Sequence, residues 1–211
     1  MTRIFLVRHG ETDWNVARRY QGQTDIPLND KGKMQAQKVA KRLSGEKLAA
    51  IYASDLQRAF YTAEAIATHH KLSVVPMKAF REISFGEWEG SSFSSLDTGA
   101  REQIDKIFTD PANIEVPGGE NFQQVQERAI YGIEELIAKH PNDTIAVVSH
   151  GAAIRTILCH ALGMKLDNVW SIRQDNTAVN CIAYYAPDAS MQGAKEAAIV
   201  ELVNDTHHLR D

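Results

Sequence analysis

The sequence predicts an α/β fold of three layers, with helices on both faces of a mostly parallel, mixed sheet. Short apolar runs closed by turn residues alternate with amphipathic helical stretches, the order expected of strand–helix–strand units. Two late apolar runs read as a hairpin, which mixes the strand directions. No repeat, low-complexity tract or linker breaks the alternation, so residues 1–211 read as one domain.

Taken in order, Arg3 to Val7 is a short apolar run with a turn signal after it, and reads as a buried strand. Asn29 or Asp30 caps a helix over Lys31 to Leu43, with Met34, Ala36, Val39, Ala40 and Leu43 on its apolar face. Leu48 to Ala53 is a second strand. Asp55 to His69 is a helix with Leu56, Ala59, Ala63, Ile66 and Ala67 inward, and Leu72 to Pro76 is a short strand. Ala79 to Gly119 is rich in Ser, Gly and Asp and yields only a short helix near Ala100 to Phe108. Phe122, Val125, Ala129, Ile133 and Leu136 recur at helical spacing, which predicts a long helix from Phe122 to His140. Thr144 to Val148 is the clearest buried strand and Ala152 to Leu162 a helix. Ala178 to Tyr185 and Ala197 to Val203 are the late strands.

Composition narrows the function classes. With 44% hydrophobic and 24% charged residues the chain is an ordinary globular one, not a disordered one. No apolar run approaches the roughly 20 residues that span a bilayer. The N-terminal run stops at Arg8-His9, too short for a signal-peptide core, so a cytoplasmic protein is expected. The net charge of −4 and the dispersed Lys and Arg argue against nucleic acid as partner. Cys159 and Cys181 sit in apolar stretches and read as buried thiols.

Chemistry gathers where strands end. Leu6-Val7 runs into Arg8-His9-Gly10-Glu11-Thr12, and Val147-Val148 into Ser149-His150-Gly151. Each places a His at a carboxyl end, followed by a Gly that removes bulk near a ligand. Ile51-Tyr52-Ala53 runs into Ser54-Asp55-Leu56-Gln57-Arg58, which puts Arg58 in the first turn of a helix, where anions are favoured. Two His and two Arg in one crevice suit a phosphoryl group. Arg offers fixed charged donors to its oxygens, and a neutral imidazole can attack phosphorus. The leaving oxygen also needs a proton. Arg81 to Gly90 offers three carboxylates, Glu82, Glu87 and Glu89, and spacing does not choose among them.

The segment Leu6 to Thr12 resembles the signature of the histidine phosphatase superfamily, the phosphoglycerate-mutase-like proteins. The resemblance runs from Ile4 to about Tyr185. It takes in Tyr20-Gln21-Gly22 with Asp25 and Leu28, Ser54-Asp55-Leu56 with Arg58-Ala59 and Thr62-Ala63, and Arg81-Glu82 with Gly86 and Trp88-Glu89-Gly90. Pro117-Gly118-Gly119-Glu120 and Ser149-His150-Gly151 complete it. Arg-His-Gly alone is a weak signal; the ordered set is a strong one. The resemblance implies a phosphoglycerate-mutase-like fold and a small phosphorylated metabolite as partner, with no cofactor or metal and no membrane. It implies that His9 takes the phosphoryl group, that Arg8, Arg58 and His150 form the phosphate pocket, and that Glu82 is the proton donor. Asn15, Gln21 and Gly22 would line the substrate side. The stretch Ile154-Arg155 with Trp170, Asn176 and Asn180-Cys181-Ile182 resembles the α-ribazole-phosphatase branch, which broad-specificity phosphatases share in part.

Blander readings stand beside these. Arg58 alone could pair with Asp55 or Glu64 on a helix surface. His69-His70 and His207-His208 look like metal pairs, but neighbours project to different sides, so solvent exposure is the expectation. Trp14, Trp88 and Trp170 read as core or rim packing. Cysteine-phosphatase chemistry fails, because Lys165 stands six residues after Cys159 where an Arg is needed. The chain also lacks an Asp-x-Asp and a Gly-x-x-x-x-Gly-Lys-[Ser/Thr] loop. A cofactor-dependent phosphoglycerate mutase is the main alternative. Such enzymes carry a longer, Arg-rich insertion between the Glu and second His segments, and an Arg after the Glu. Here Glu82 to His150 holds only Arg101 and Arg128, and Ile83 follows Glu82. A non-catalytic phospho-ligand-binding domain is the alternative from another class.

Overall fold

In the computed structural model, residues 1–185 and 197–210 are described. The first strand, β1 (Thr2–Arg8), is followed by a four-residue turn of helix, α1 (Asp13–Val16), and by α2 (Asp30–Leu43). Then come β2 (Leu48–Ala53), α3 (Gln57–His70), β3 (Val74–Pro76), α4 (Thr98–Thr109), α5 (Phe122–Lys139) and β4 (Thr144–Ser149). Helix α6 (Gly151–Ala161) and the strands β5 (Val179–Tyr185) and β6 (Ala197–Asp205) complete the order, with 3-10 turns between. The strands form one sheet ordered β3-β2-β4-β1-β5-β6. β1 to β4 pair in parallel, while β5 runs antiparallel to β1 and β6 antiparallel to β5. The sheet is therefore mixed and mostly parallel, and the late strands do form an antiparallel pair.

Strand alternation sends successive side chains to opposite faces. Ile4 and Leu6 of β1, Ile145 and Val147 of β4 and Ile182 of β5 join one apolar cluster, with Phe122, Val125, Ile133 and Leu136 of α5 and Ile154, Ile157 and Leu158 of α6. Phe5 and Val7, Ala146 and Val148, and Val179 join the other, with Ala36, Val39 and Leu43 of α2 and Ala59, Ala63 and Ile66 of α3. Helices thus cover both faces, as the three-layer reading expects. Burying each large apolar side chain contributes about 1.5–3 kcal/mol.

The chain skips a place between β1 and β2, and β4 later fills it. β1 and β4 therefore lie side by side, with their helical connections on opposite faces. That is the topological switch point where a crevice opens at the carboxyl ends. Among the described residues no helix is long and apolar enough to cross a membrane.

Two local expectations are corrected. Met34 is 61% exposed, because the buried face of α2 runs through Gly32 and Ala36 instead. His69 and His207 are exposed, but His70 and His208 are half-buried. Cys159 and Cys181 are free and buried.

Candidate active site

Arg8 pairs in register with Ser149, so His9 and His150 leave β1 and β4 side by side. Their ring centroids are 5.0 Å apart, and both residues are buried. The His9 backbone is fixed from two sides. Its N–H donates to Ser149 O at 3.0 Å, and its carbonyl accepts from Asn176 Nδ2 at 3.1 Å. His9 Nδ1 lies 2.6 Å from Gly10 O. A carbonyl only accepts, so Nδ1 carries the proton and Nε2 keeps its lone pair. Burial, then the charges of Arg58 and Arg8, hold the imidazole well below its ordinary pKa, against the opposing Gly10 bond. The ring is neutral at pH 7.

Arg58 is fully buried. Its Nη1 donates to Thr24 O at 2.8 Å and its Nη2 to Gly22 O at 2.7 Å. Its Nε donates to His150 Nδ1 at 3.3 Å, which leaves the proton of neutral His150 on Nε2. Burial lowers the Arg58 pKa to about 10, so it stays charged at pH 7. Asp55 does not pair with it, being held by Arg81 at 2.6 Å. Arg8 donates from Nη1 to Gln174 O at 2.6 Å. Two buried donors, Arg8 Nε and His150 Nε2, have no hydrogen-bond partner. Orphaned buried donors are rare and costly, and here they flank a neutral imidazole with a free lone pair.

Of the three carboxylates that spacing left open, only Glu82 faces this crevice. Its Oε1 accepts from Ala152 N at 3.0 Å, at the first turn of α6, and from Ile83 N at 3.1 Å. Glu87 is exposed. Glu89 accepts from Gln23 N at 2.8 Å and Phe85 N at 3.1 Å, tying the 21–24 loop to the 84–89 turn. Arg128 of α5 holds the Glu82 segment from behind. It donates to the carbonyls of Ala79, Arg81 and Glu82 and to both Glu120 oxygens.

A cleft of about 300 Å³ opens over these groups, walled by Arg8, His9, Arg58 and Glu82 together with Asn15, Gln21 and Gly22. His150 lies buried against His9 and Arg58 rather than on the wall. Asn15 Oδ1 takes donors from Thr12 and Asn176, and Gln21 Oε1 one from Thr12, so both amide NH2 groups are the ends left for a ligand. Gly22 has φ 54°, and a Cβ there would meet Glu89 Oε1 at 2.0 Å. Gly10 is glycine for a reason other than the one expected. A Cβ there would strike Gly32 O of α2 at 2.5 Å, so it serves loop packing. Sequence reasoning gave no site role to Arg19, Tyr20, Phe85, Phe108, Arg155 and Trp170, which line the outer cleft. Of these, Tyr20 carried a signal as part of the family motif, and Arg155 and Trp170 as branch markers.

The family model described as the histidine phosphatase superfamily (branch 1) matches residues 4–196. The chain belongs to the histidine phosphatase superfamily. Among curated relatives, it is similar to phosphoserine phosphatase 1 of Hydrogenobacter thermophilus, 36% identical over 182 residues and 86% of each chain. It is also similar to phosphoglycerate mutase-like protein 4 of Arabidopsis thaliana, 38% identical over 190 residues, 88% of this chain and 80% of that one. Among solved structures, a phosphoserine phosphatase mutant from Entamoeba histolytica in complex with phosphoserine matches with TM-score 0.83. Its identity is 31%, covering 99% of this chain and 100% of that chain. The α-ribazole expectation meets a fold likeness, to a candidate α-ribazole-5′-P phosphatase from Escherichia coli. There the TM-score is 0.83 and the identity 26%, over 97% of this chain and 96% of that one. These likenesses and the family match make this histidine phosphatase an enzyme, a phosphatase with the expected fold.

Proposed function

We propose that the chain hydrolyses the phosphomonoester of a small metabolite in two steps, through a phosphohistidine on His9. The observation that carries this reading is the pair of orphaned donors, Arg8 Nε and His150 Nε2, beside a neutral His9 with Nε2 free. In the first step the Nε2 lone pair attacks phosphorus, the P–N bond forms as the ester P–O bond breaks, and protonated Glu82 gives its proton to the leaving oxygen. In the second step water attacks the same phosphorus, the P–N bond breaks, and the Glu82 carboxylate takes the water's proton. Arg8, Arg58 and His150 meet the equatorial oxygens, where charge builds up. Asn15, Gln21 and Gly22 border the rest of the substrate. Phosphoserine is the first substrate to test, given the relatives, and α-ribazole 5′-phosphate the second. Residues 1–211 act as one domain in this reading. A cytoplasmic location goes with the two free thiols.

A mutase reading draws support from the plant mutase-like relative. The two arginines between Glu82 and His150, where such mutases carry an Arg-rich insertion, argue the other way. Arg128 spends its donors on Glu120 and three carbonyls, and Arg101 bonds Phe93 O and Ser94 O. Neither lines the cleft. A panel of phosphoserine, α-ribazole 5′-phosphate, 3-phosphoglycerate and p-nitrophenyl phosphate decides between the readings. Phosphate release in the presence of EDTA is expected. Isomerisation of 3-phosphoglycerate that depends on 2,3-bisphosphoglycerate, with no net phosphate release, would overturn it.

A further inference from the structure

The outer cleft holds a guanidinium that the two-step transfer does not use. Arg155 stands one turn into α6 and lines the same cleft as His9. Its head is held on two sides. Nε donates to Ile172 O at 2.7 Å, and the guanidinium carbon lies 5.0 Å over the Trp170 ring. Trp170 is itself fixed, its Nε1 donating to Ile107 O and its ring packing 5.0 Å from Phe108. Among the described residues neither terminal nitrogen of Arg155 has a hydrogen-bond partner, and no carboxylate forms an ion pair with it. A point beside Gly151 lies 3.0 Å from Arg155 Nη1 and 3.6 Å from Arg8 Nε, so the two groups are less than about 7 Å apart. Burial, then the charge of Arg8, lowers the Arg155 pKa to about 10, against the opposing charges of Glu82 and Asp175.

A half-buried cation with no ion-paired acid, acted on only at longer range by Glu82 and Asp175, fixed on an aromatic ring and facing a cleft, has donors that a ligand anion would satisfy. Arg8 beside it belongs to the phosphate pocket under the reading above. We infer that Arg155, held by Trp170 and Ile172, is a specificity residue that binds a carboxylate carried by the substrate a few bonds from its phosphoryl group. The substrate class is then a phosphomonoester of a short hydroxy or amino acid.

This inference rests on the phosphatase reading, and matched substrates separate the two. O-phosphoserine and O-phosphoethanolamine differ only in the carboxylate. Wild-type enzyme should favour phosphoserine in kcat/KM by roughly tenfold to a hundredfold, the range for a hydrogen-bonded charge pair. Arg155→Met keeps the aliphatic stem on Trp170. It should remove most of that preference, chiefly through KM for phosphoserine, while the phosphoethanolamine rate stays within about threefold. Arg155→Lys should restore part of it. Wild type without a preference, or equal losses on both substrates in Arg155→Met, would overturn the inference and leave the phosphatase reading intact. Failure of wild type to hydrolyse even p-nitrophenyl phosphate would instead overturn the phosphatase reading.

Discussion

Replacing Arg128 with Met should cost the protein stability and activity together. All five Arg128 N–H groups are used, at 2.8–2.9 Å, on both Glu120 oxygens and on the carbonyls of Ala79, Arg81 and Glu82. Both side chains of the pair are only 22% exposed. Breaking a buried pair from one side costs about 3–5 kcal/mol. The low end applies here, because Glu120 keeps Ser84 N at 2.9 Å and Gln23 Nε2 at 3.1 Å. The carbonyl bonds add about 1 kcal/mol net once water replaces some of them. The expected loss is about 4 kcal/mol, or roughly 8–16 °C in Tm for a chain of this length. Urea unfolding at pH 7 measures it, and kcat should fall as well, since the Glu82 backbone loses a tether. Burial alone would raise the Glu120 pKa, but Arg128 and the Ser84 and Gln23 donors outweigh it and hold the group below its ordinary range. A depressed carboxylate stabilises above the unfolded pKa of about 4.3, and that stabilisation is lost as pH falls through the folded value. The gap between wild type and variant should therefore narrow below about pH 4. A loss under about 1 kcal/mol at pH 7, or an unchanged kcat, would refute the reasoning.

Glu82→Gln should slow an alkyl phosphate far more than p-nitrophenyl phosphate, because an alkoxide needs the proton that a nitrophenolate does not. Equal losses on the two substrates would remove Glu82 as the acid. The lowered His9 pKa predicts an acid-side stability slope. Stability is present above the unfolded His value of about 6.5 and is lost as pH falls through the folded one, so His9→Asn should flatten the slope between pH 6.5 and 5 by up to about 1.4 kcal/mol per pH unit. Urea midpoints at both ends of that range check it, and parallel curves would contradict a neutral buried His9.

The central strands were legible because nothing competes with a continuous apolar run. β1 and β4 lie within one residue of the segments read from sequence at each end. The convergence of Arg8, His9, Arg58 and His150 was legible for the same reason, since strand ends fix where the next residues go. Residues 78–95 were not, because their 3-10 turns are held by local bonds such as Ser92 with Ser95, which leave no periodicity. Choosing Glu82 over Glu87 and Glu89 was beyond residue spacing, because the choice depends on which carboxylate reaches the first turn of α6, 70 residues on. Arg155 showed only as a branch marker. Its role in the cleft wall depends on Trp170 and Ile172 folding back over α6.

The central claim is a phosphoryl group carried on His9, and trapping that group tests it most directly. Enzyme mixed with a radiolabelled phosphomonoester and quenched within the first turnover should carry label that survives base, is released by acid and maps to the peptide holding His9. His9→Ala, folded as judged by circular dichroism, should carry none. Label that survives acid, or that persists in His9→Ala, would contradict the account.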